Sequence, residues 1–233
     1  MKWILIAAAW TMMQTFTATA QADADKILLR ADEIRNPSVS YRMNVTVDST
    51  DDGHSAFEIL IGGKDRSIIR TQKPERELGK NFLMLEEKMW AYIPNIGRSV
   101  RVSLNQKLSG QASNGDISRM RWYGDYTAKI ESQDDKHWVL FLAANKKGLT
   151  YDKIRVWIAK ENDRPEKAEY LSATEKVLKN VDFGGYREIA GAIRPTEITI
   201  VNAHDAAKKS VLRIKTMTKA EIPASFFTEN NLR

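Results

Sequence analysis

The feature that most constrains the fold is an alternation of apolar and polar residues that begins at Val39. The apolar set is Val39, Tyr41, Met43, Val45 and Val47, and a polar residue stands between each pair and at Asp48. Successive side chains of a β-strand point to opposite faces, so this period of two predicts a strand with one buried face. Strands with one apolar face are typical of antiparallel sheets.

The same pattern continues through most of the chain, with short turns between its segments. Gly62-Gly63-Lys64-Asp65 is one such turn. Predicted strands cover 39–48, 57–61, 66–71, 82–86, 89–93, 100–103, 126–132, 137–143, 154–159, 167–171, 177–183, 197–201 and 210–217. A meander of short strands and tight turns predicts a large, curved antiparallel sheet, in a mainly β chain with some helix (α+β).

Three segments depart from this rhythm. Residues 26–35 carry apolar side chains at helical spacing and end at Asn36-Pro37, which predicts an amphipathic helix. Residues 104–123 form a long connection with a possible helical turn after Asp116, and residues 222–233 form a tail. With no repeat and no linker in the sequence, we expect a single domain over residues 21–233.

The first twenty residues have the pattern of an export signal. Lys2 precedes an apolar run from Trp3 to Trp10, and Ala18-Thr19-Ala20 forms a cleavage site of small residues, with a second possible site after Ala22. The run is shorter than the roughly 20 residues that span a bilayer. A signal peptide over residues 1–20 predicts a periplasmic protein. Because the chain has no cysteine, it cannot carry a lipid on an N-terminal cysteine or form a disulfide.

Composition and motifs argue against nucleic-acid binding and against catalysis. Removing Lys2 leaves 35 basic against 30 acidic residues, and the basic pairs are isolated instead of forming a stripe. The three histidines lack metal-ligand spacing, so we expect no metal and no cofactor. Ser113 lies in Gln-Ala-Ser-Asn-Gly, which lacks the first glycine of a nucleophile elbow and favours a flexible polar loop. We therefore expect a protein that is not an enzyme.

Several short motifs resemble, in order, the periplasmic outer membrane lipoprotein-sorting protein family. They are Ala-Asp-Glu-Ile-Arg at 31–35, Met-Trp-Ala-Tyr-Ile-Pro at 89–94 with Arg98, Val100 and Arg101, Arg-Pro-Thr-Glu-Ile at 194–198, and Ile222-Pro223, Phe227-Thr228 and Leu232. The resemblance implies a LolA/LolB-like fold: an incomplete antiparallel β-barrel of about eleven strands, covered by helices around an apolar cavity for acyl chains. In the loop after the basic strand Asp116 is kept, but Arg119 and Arg121 replace the family's acidic character.

With that resemblance, the strand faces give a candidate lipid-binding set. Its members are Tyr41, Met43 and Val45 on one face, Phe57, Ile59 and Ile61 on the next strand, Met84, and Trp90 and Tyr92. Methionine suits such a lining because its side chain is flexible. The same stripes would look identical in a filled core. Trp90 and Tyr92 fit either a cavity mouth or packing beneath the first helix.

The expected function is that of a periplasmic carrier or acceptor for acyl chains of a lipoprotein or lipid, with an inner-membrane transporter as partner. Arg98 and Arg101 are candidates to meet a lipid headgroup or partner, or are solvated charges that discourage edge pairing. The alternatives are a regulatory sensor similar in fold to RseB, an enzyme that acts on envelope lipid through Ser113 or a histidine, and a purely structural β module.

Overall fold

The computed structural model of the chain describes residues 23–63, 65–118 and 121–233. The predicted signal peptide lies outside the described residues. Residues 23–35 form a helix, α1, and a short helix, α2, spans Asn114–Ser118. The strands are β1 Tyr41–Ser49, β2 Gly53–Gly62, β3 Arg66–Lys73, β4 Phe82–Leu85, β5 Lys88–Ile93, β6 Arg98–Val102, β7 Lys107–Ser109, β8 Ala112–Ser113, β9 Tyr126–Gln133, β10 His137–Ala144, β11 Lys153–Ala159, β12 Pro165–Leu171, β13 Val177–Gly184, β14 Arg187–Ile189, β15 Ala192–Arg194, β16 Glu197–Asn202 and β17 Asp205–Lys219.

Thirteen of these strands form one antiparallel sheet, in the order β6-β5-β4-β3-β2-β1-β17-β16-β13-β12-β11-β10-β9. The chain first builds a meander from β1 to β6 and later a second group from β9 to β16. The long strand β17 pairs with β1 on one side and with β16 on the other. It therefore joins the two halves of the sheet.

The expected number of about eleven strands is wrong. Each of the thirteen segments with strand periodicity became a strand of the large sheet, and the smaller number came from the resemblance alone. Two further hairpins, β7–β8 and β14–β15, form separate two-stranded sheets. Their strands have only two or three residues, which is too short for a pattern to repeat.

The sheet is open, yet strongly curved. Nine strand-to-strand steps separate β4 from β10, which would amount to roughly 43 Å across a flat sheet at about 4.8 Å per step. Nevertheless Lys146, after β10, forms an ion pair with Glu87, after β4. The Lys146 ammonium also lies 3.0 Å from the Asp125 carboxylate, before β9. The two ends of the sheet are thus brought together.

One face of this curved sheet, here called the inner face, carries the main hydrophobic core. In β1 the buried side chains of Tyr41, Val45 and Val47 follow the predicted alternation. The inner face is covered by α1 and by the connection that contains β7, β8, α2 and Trp122, which together we call the cover. The cover contributes Ala24, Ile27, Leu28, Ala31, Leu104, Ala112, Ile117 and Trp122 to the core. None of the helices in the described part of the chain is long and apolar enough to cross a membrane.

A smaller core lies on the opposite, outer face. There Leu60, Ile68 and Leu83 pack against Phe227 and Leu232 of the C-terminal tail. The Asn81 side-chain amide donates a hydrogen bond to the Leu232 carbonyl at 2.9 Å. The tail is therefore part of the fold.

Trp90 and Tyr92 pack against this outer core. We expected these rings at a cavity mouth or beneath the first helix, and neither placement is correct. On the same strand, β5, the side chains of Met89 and Ala91 belong to the core of the inner face. The alternate positions 90 and 92 therefore point to the other face, where the tail lies.

Candidate functional site

A narrow crevice lies between the cover and the inner face of the sheet. Its volume is about 80 Å³, room for only a few water-sized groups. The polar part of its wall comes from the end of α1, from α2 and from Arg194. The apolar part includes Tyr41, Met43, Phe183, Ile198, Ile200, Leu212, Ile214 and Met217.

The structure separates the predicted binding residues into groups. Tyr41 and Met43 line the crevice. The remaining inner-face residues belong to the same core without lining it, and they are Val45, Phe57, Ile59, Ile61 and Met84. Phe57 borders a second, more polar crevice of about 100 Å³ that also contacts Ser55 and Lys73. Trp90 and Tyr92 are on the outer face.

Arg98 and Arg101 lie on β6, the edge strand of the sheet. Both residues are exposed, and the Arg101 guanidinium stacks 5.0 Å from the centre of the Trp90 ring. Neither arginine lines the crevice that holds Met43. An edge position with exposed cations is also the arrangement that discourages pairing with another strand.

A buried carboxylate ties the two parts of the cover together. Asp32 of α1 accepts hydrogen bonds from the backbone N–H groups of Trp122 and Tyr123 at 2.9 and 3.0 Å. It also accepts one from the Arg35 guanidinium at 2.7 Å, and Arg35 stacks 4.0 Å from the centre of the Trp122 ring. Burial raises the pKa of the Asp32 carboxyl, against the opposing effect of Arg35.

A second buried side chain fastens the end of α1 to the hairpin β14–β15. Arg194 ends β15 and is only 8% exposed. One guanidinium nitrogen donates to the carbonyls of Glu33 and Ile34, at 2.7 and 3.0 Å. These carbonyls lie in the last turn of α1, where helix bonding leaves them without partners and a cation is favourable. Burial lowers the pKa of Arg194.

A buried polar network holds α2 against the sheet. The Lys179 ammonium of β13 donates to the Ser113 hydroxyl at 2.7 Å and to the Tyr151 hydroxyl at 2.8 Å. It also lies 3.4 Å from Asp116 Oδ2, which accepts hydrogen bonds from the Tyr151 hydroxyl and the Ser113 N–H, each at 2.8 Å. Burial raises the pKa of Tyr151 well above its usual range. The expected flexible loop around Ser113 is therefore wrong, since this residue is buried in a short strand.

A serine beside a lysine can act as a nucleophile when the lysine accepts the serine proton. Here Lys179 faces three acceptors, which accounts for the three protons of its ammonium group. No described histidine is hydrogen-bonded to Ser113. Within the described residues, no three metal-ligating side chains are grouped together. The geometry supports a structural role for this network.

The residues that fasten the cover were not identified from the sequence, although the strand pattern around Lys179 could have indicated one of them. Its position matches that of Val181 and Phe183, which both face the core, so the strand pattern places a charge on the apolar face. A buried charge needs a partner. No pattern in the sequence indicated the role of Asp32, because an acidic residue near an arginine on a helix usually forms a solvated ion pair with it.

Comparison with known proteins supplies the family. A family model described only as that of an uncharacterized protein matches residues 63–233. A search of curated proteins gave no match. The crystal structure of a LolA superfamily protein from Nitrosomonas europaea is 34% identical, covers 89% of this chain and 98% of its own, and superposes with a TM-score of 0.82.

Two more distant structures share the fold. An outer membrane lipoprotein-sorting protein domain from Vibrio parahaemolyticus is 17% identical, covers 91% of this chain and 99% of its own, and has a TM-score of 0.76. A DUF1329 family protein from Desulfovibrio piger is 18% identical, with 92% and 99% coverage and a TM-score of 0.76. The identity and coverage of the Nitrosomonas protein confirm the resemblance seen in the sequence motifs: the chain belongs to the LolA superfamily.

Proposed function

We propose that the protein is a periplasmic carrier or acceptor that binds acyl chains of a lipoprotein or lipid between its cover and the inner face of the sheet. The observation that carries the proposal is an apolar crevice at the junction of two separately fastened parts. A relative described as a lipoprotein-sorting domain supports the proposal through its shared fold.

The energetics of such binding come from burial of hydrocarbon. Each buried CH₂ contributes about 0.8 kcal/mol. Met43 and Met217 border the crevice from adjacent strands, with Met43 opposite Met217 in the register. Because methionine is unbranched and flexible, this wall adapts to a chain without a fixed shape.

At about 80 Å³ the crevice is too small for a whole acyl chain. Binding therefore requires the cover to move away from the sheet. Directional polar contacts hold the cover in place, among them those of Arg194, Lys179 and Gln111, and apolar side chains pack between them. An acyl chain can replace the apolar contact. We also propose that the predicted signal peptide directs the protein to the periplasm and that an inner-membrane transporter is its partner.

The test is binding of a fluorescent fatty acid, together with mass spectrometry of lipids that co-purify with the protein from bacterial membranes. Met43→Lys introduces a charge at the crevice, so we expect it to weaken probe binding strongly. Asn44→Lys is the matched control, because it places the same charge one position along β1, on the opposite face. A wild-type protein that binds no probe and carries no lipid would exclude the proposal.

A further inference from the structure

Three residues that line the crevice each carry a buried polar atom without a hydrogen-bond partner among the described residues. These atoms are Oδ1 of Asp116, Oγ of Ser118 and Nε of Arg194. The Asp116 side chain is 4% exposed and Ser118 is fully buried. All three residues line the same crevice. Buried polar atoms are normally paired, so a group of unpaired ones beside a cavity needs an explanation.

The contacts that hold the fold together do not explain why these atoms are unpaired. Asp116 uses its other oxygen, Oδ2, for the contacts with Ser113, Tyr151 and Lys179. Arg194 uses one of its terminal nitrogens for the carbonyls of α1. Other atoms of the same side chains thus fasten the cover to Lys179 of the sheet and to the hairpin β14–β15. The unpaired atoms are one carboxylate acceptor, one guanidinium donor and one hydroxyl.

We propose that, when the cover moves, these three residues bind an uncharged polar group that adjoins the acyl chain and contains both a hydrogen-bond donor and an acceptor. A hydroxyl-bearing ester and an amide are the two chemical classes that meet this requirement. The inference deepens the proposed function and depends on it. The donor of the ligand pairs with Asp116 Oδ1, and its carbonyl accepts a hydrogen bond from Arg194 Nε. The Ser118 hydroxyl can donate to the ligand carbonyl or accept from the ligand donor.

The same atoms disfavour other acyl compounds. A fatty-acid carboxylate has no donor at neutral pH, so it can accept a hydrogen bond from Arg194 but leaves Asp116 Oδ1 unpaired. A simple alkyl ester offers its carbonyl to Arg194 but leaves Asp116 Oδ1 unpaired. Leaving a buried acceptor unpaired discriminates strongly between otherwise similar ligands.

The experiment compares glyceryl monolaurate, lauramide, methyl laurate and laurate, which share the same acyl length. Affinity is measured by displacement of a fluorescent fatty acid from the full chain without its signal segment. We expect the glyceryl ester and the amide to bind about tenfold more tightly than methyl laurate, the size of one well-formed hydrogen bond to a charged group. The ratio between the first two distinguishes the hydroxyl source from the amide source.

Two serine variants test the site without removing a fold contact. Ser118→Ala deletes the unpaired hydroxyl at the crevice, and we expect it to reduce the preference for the glyceryl ester over methyl laurate several-fold. Ser67→Ala is the matched control: its hydroxyl is also buried and unpaired, but it does not border the crevice. We expect Ser67→Ala to retain the full preference.

The outcomes separate this inference from the proposed function. Equal affinity for all four compounds leaves acyl binding intact and overturns the polar site. The same is true if Ser118→Ala and Ser67→Ala behave alike. Failure of every compound to bind removes both proposals.

Discussion

At the residue scale, the buried carboxylate of Asp32 connects the two parts of the cover. Asp32→Ala removes the acceptor of the Trp122 and Tyr123 N–H groups and the carboxylate that lies 2.7 Å from the Arg35 guanidinium. We expect it to lower the free energy of unfolding by about 3–5 kcal/mol, measured by urea denaturation. Asp32→Asn keeps an acceptor and should lose less.

Asp23→Ala, on the same helix, provides a control for helix propensity. The Asp23 side chain is 65% exposed and forms an ion pair with Lys26, at 3.8 Å. We expect a change within about 0.5 kcal/mol. Similar losses for Asp23→Ala and Asp32→Ala would show that the buried contacts of Asp32 do not stabilise the cover.

His137 provides a pH-dependent contact on the sheet. Its Nε2 lies 2.9 Å from a Glu166 carboxylate oxygen. This hydrogen bond raises the pKa of His137, against a smaller opposing effect of burial. An NMR titration should give a pKa above about 6.5, and Glu166→Gln should lower it.

The corresponding effect on stability has a defined sign. A histidine whose pKa is raised by folding binds its proton more tightly in the folded state, so its contribution is complete below about pH 6.5. The contribution is lost as the pH rises through the pKa of the folded protein. The wild type should therefore exceed Glu166→Gln in stability at pH 6 by more than at pH 8. A constant difference would contradict the assignment.

At this scale, the sequence predicted the positions of apolar side chains better than the contacts of polar ones. Tyr41 and Met43 were placed correctly on the inner face because strand alternation determines direction. The network around Lys179 was not predicted, because its partners Ser113 and Asp116 are more than sixty positions away in the chain. Local periodicity contains no information about such contacts.

At the scale of elements, periodicity located all thirteen strands of the large sheet. It was least informative for the tail, which has no repeating pattern. The family resemblance included Phe227 and Leu232 in a C-terminal motif, and the structure shows both residues packed on the outer face. Tertiary packing gives the tail its structure, so its contacts could not be derived from local sequence.

The tail packs tightly enough that its contribution should be measurable. Phe227 is 4% exposed, and a Cβ atom added at Gly62 would collide with its ring. We expect Phe227→Ala to cost about 3–5 kcal/mol in unfolding free energy. Phe226→Ala is the control, since this neighbouring ring is only half-buried. Equal losses would show that the outer core does not depend on Phe227.

At the scale of the whole molecule, the proposed binding of an acyl chain requires the cover to separate from the sheet. Arg30 of α1 forms a bidentate ion pair with Asp163, in the turn between β11 and β12, at 2.7 and 3.0 Å. Because the chain has no cysteine, Arg30→Cys with Asp163→Cys provides a unique pair for a short bismaleimide. We expect cross-linking to reduce fatty-acid uptake to background.

The same double variant without the reagent is the control and should bind as the wild type does. It also accounts for any strain from cysteine at position 163, where φ is +57°. Undiminished uptake after complete cross-linking would show that α1 does not need to move.

The position of β17 has a consequence for how the protein is made. Among the described strands of the large sheet, β1–β6 and β9–β16 are joined by backbone pairing only through this strand, which ends at Lys219. A chain synthesised from its N-terminus therefore has no strand pairing between the two halves of the sheet until β17 is made. Their union must wait for almost the last residues to appear, and the pairing of β1 with β17 spans most of the sequence. Pairing over such separations is slow, so the large sheet is completed only after β17 has been made.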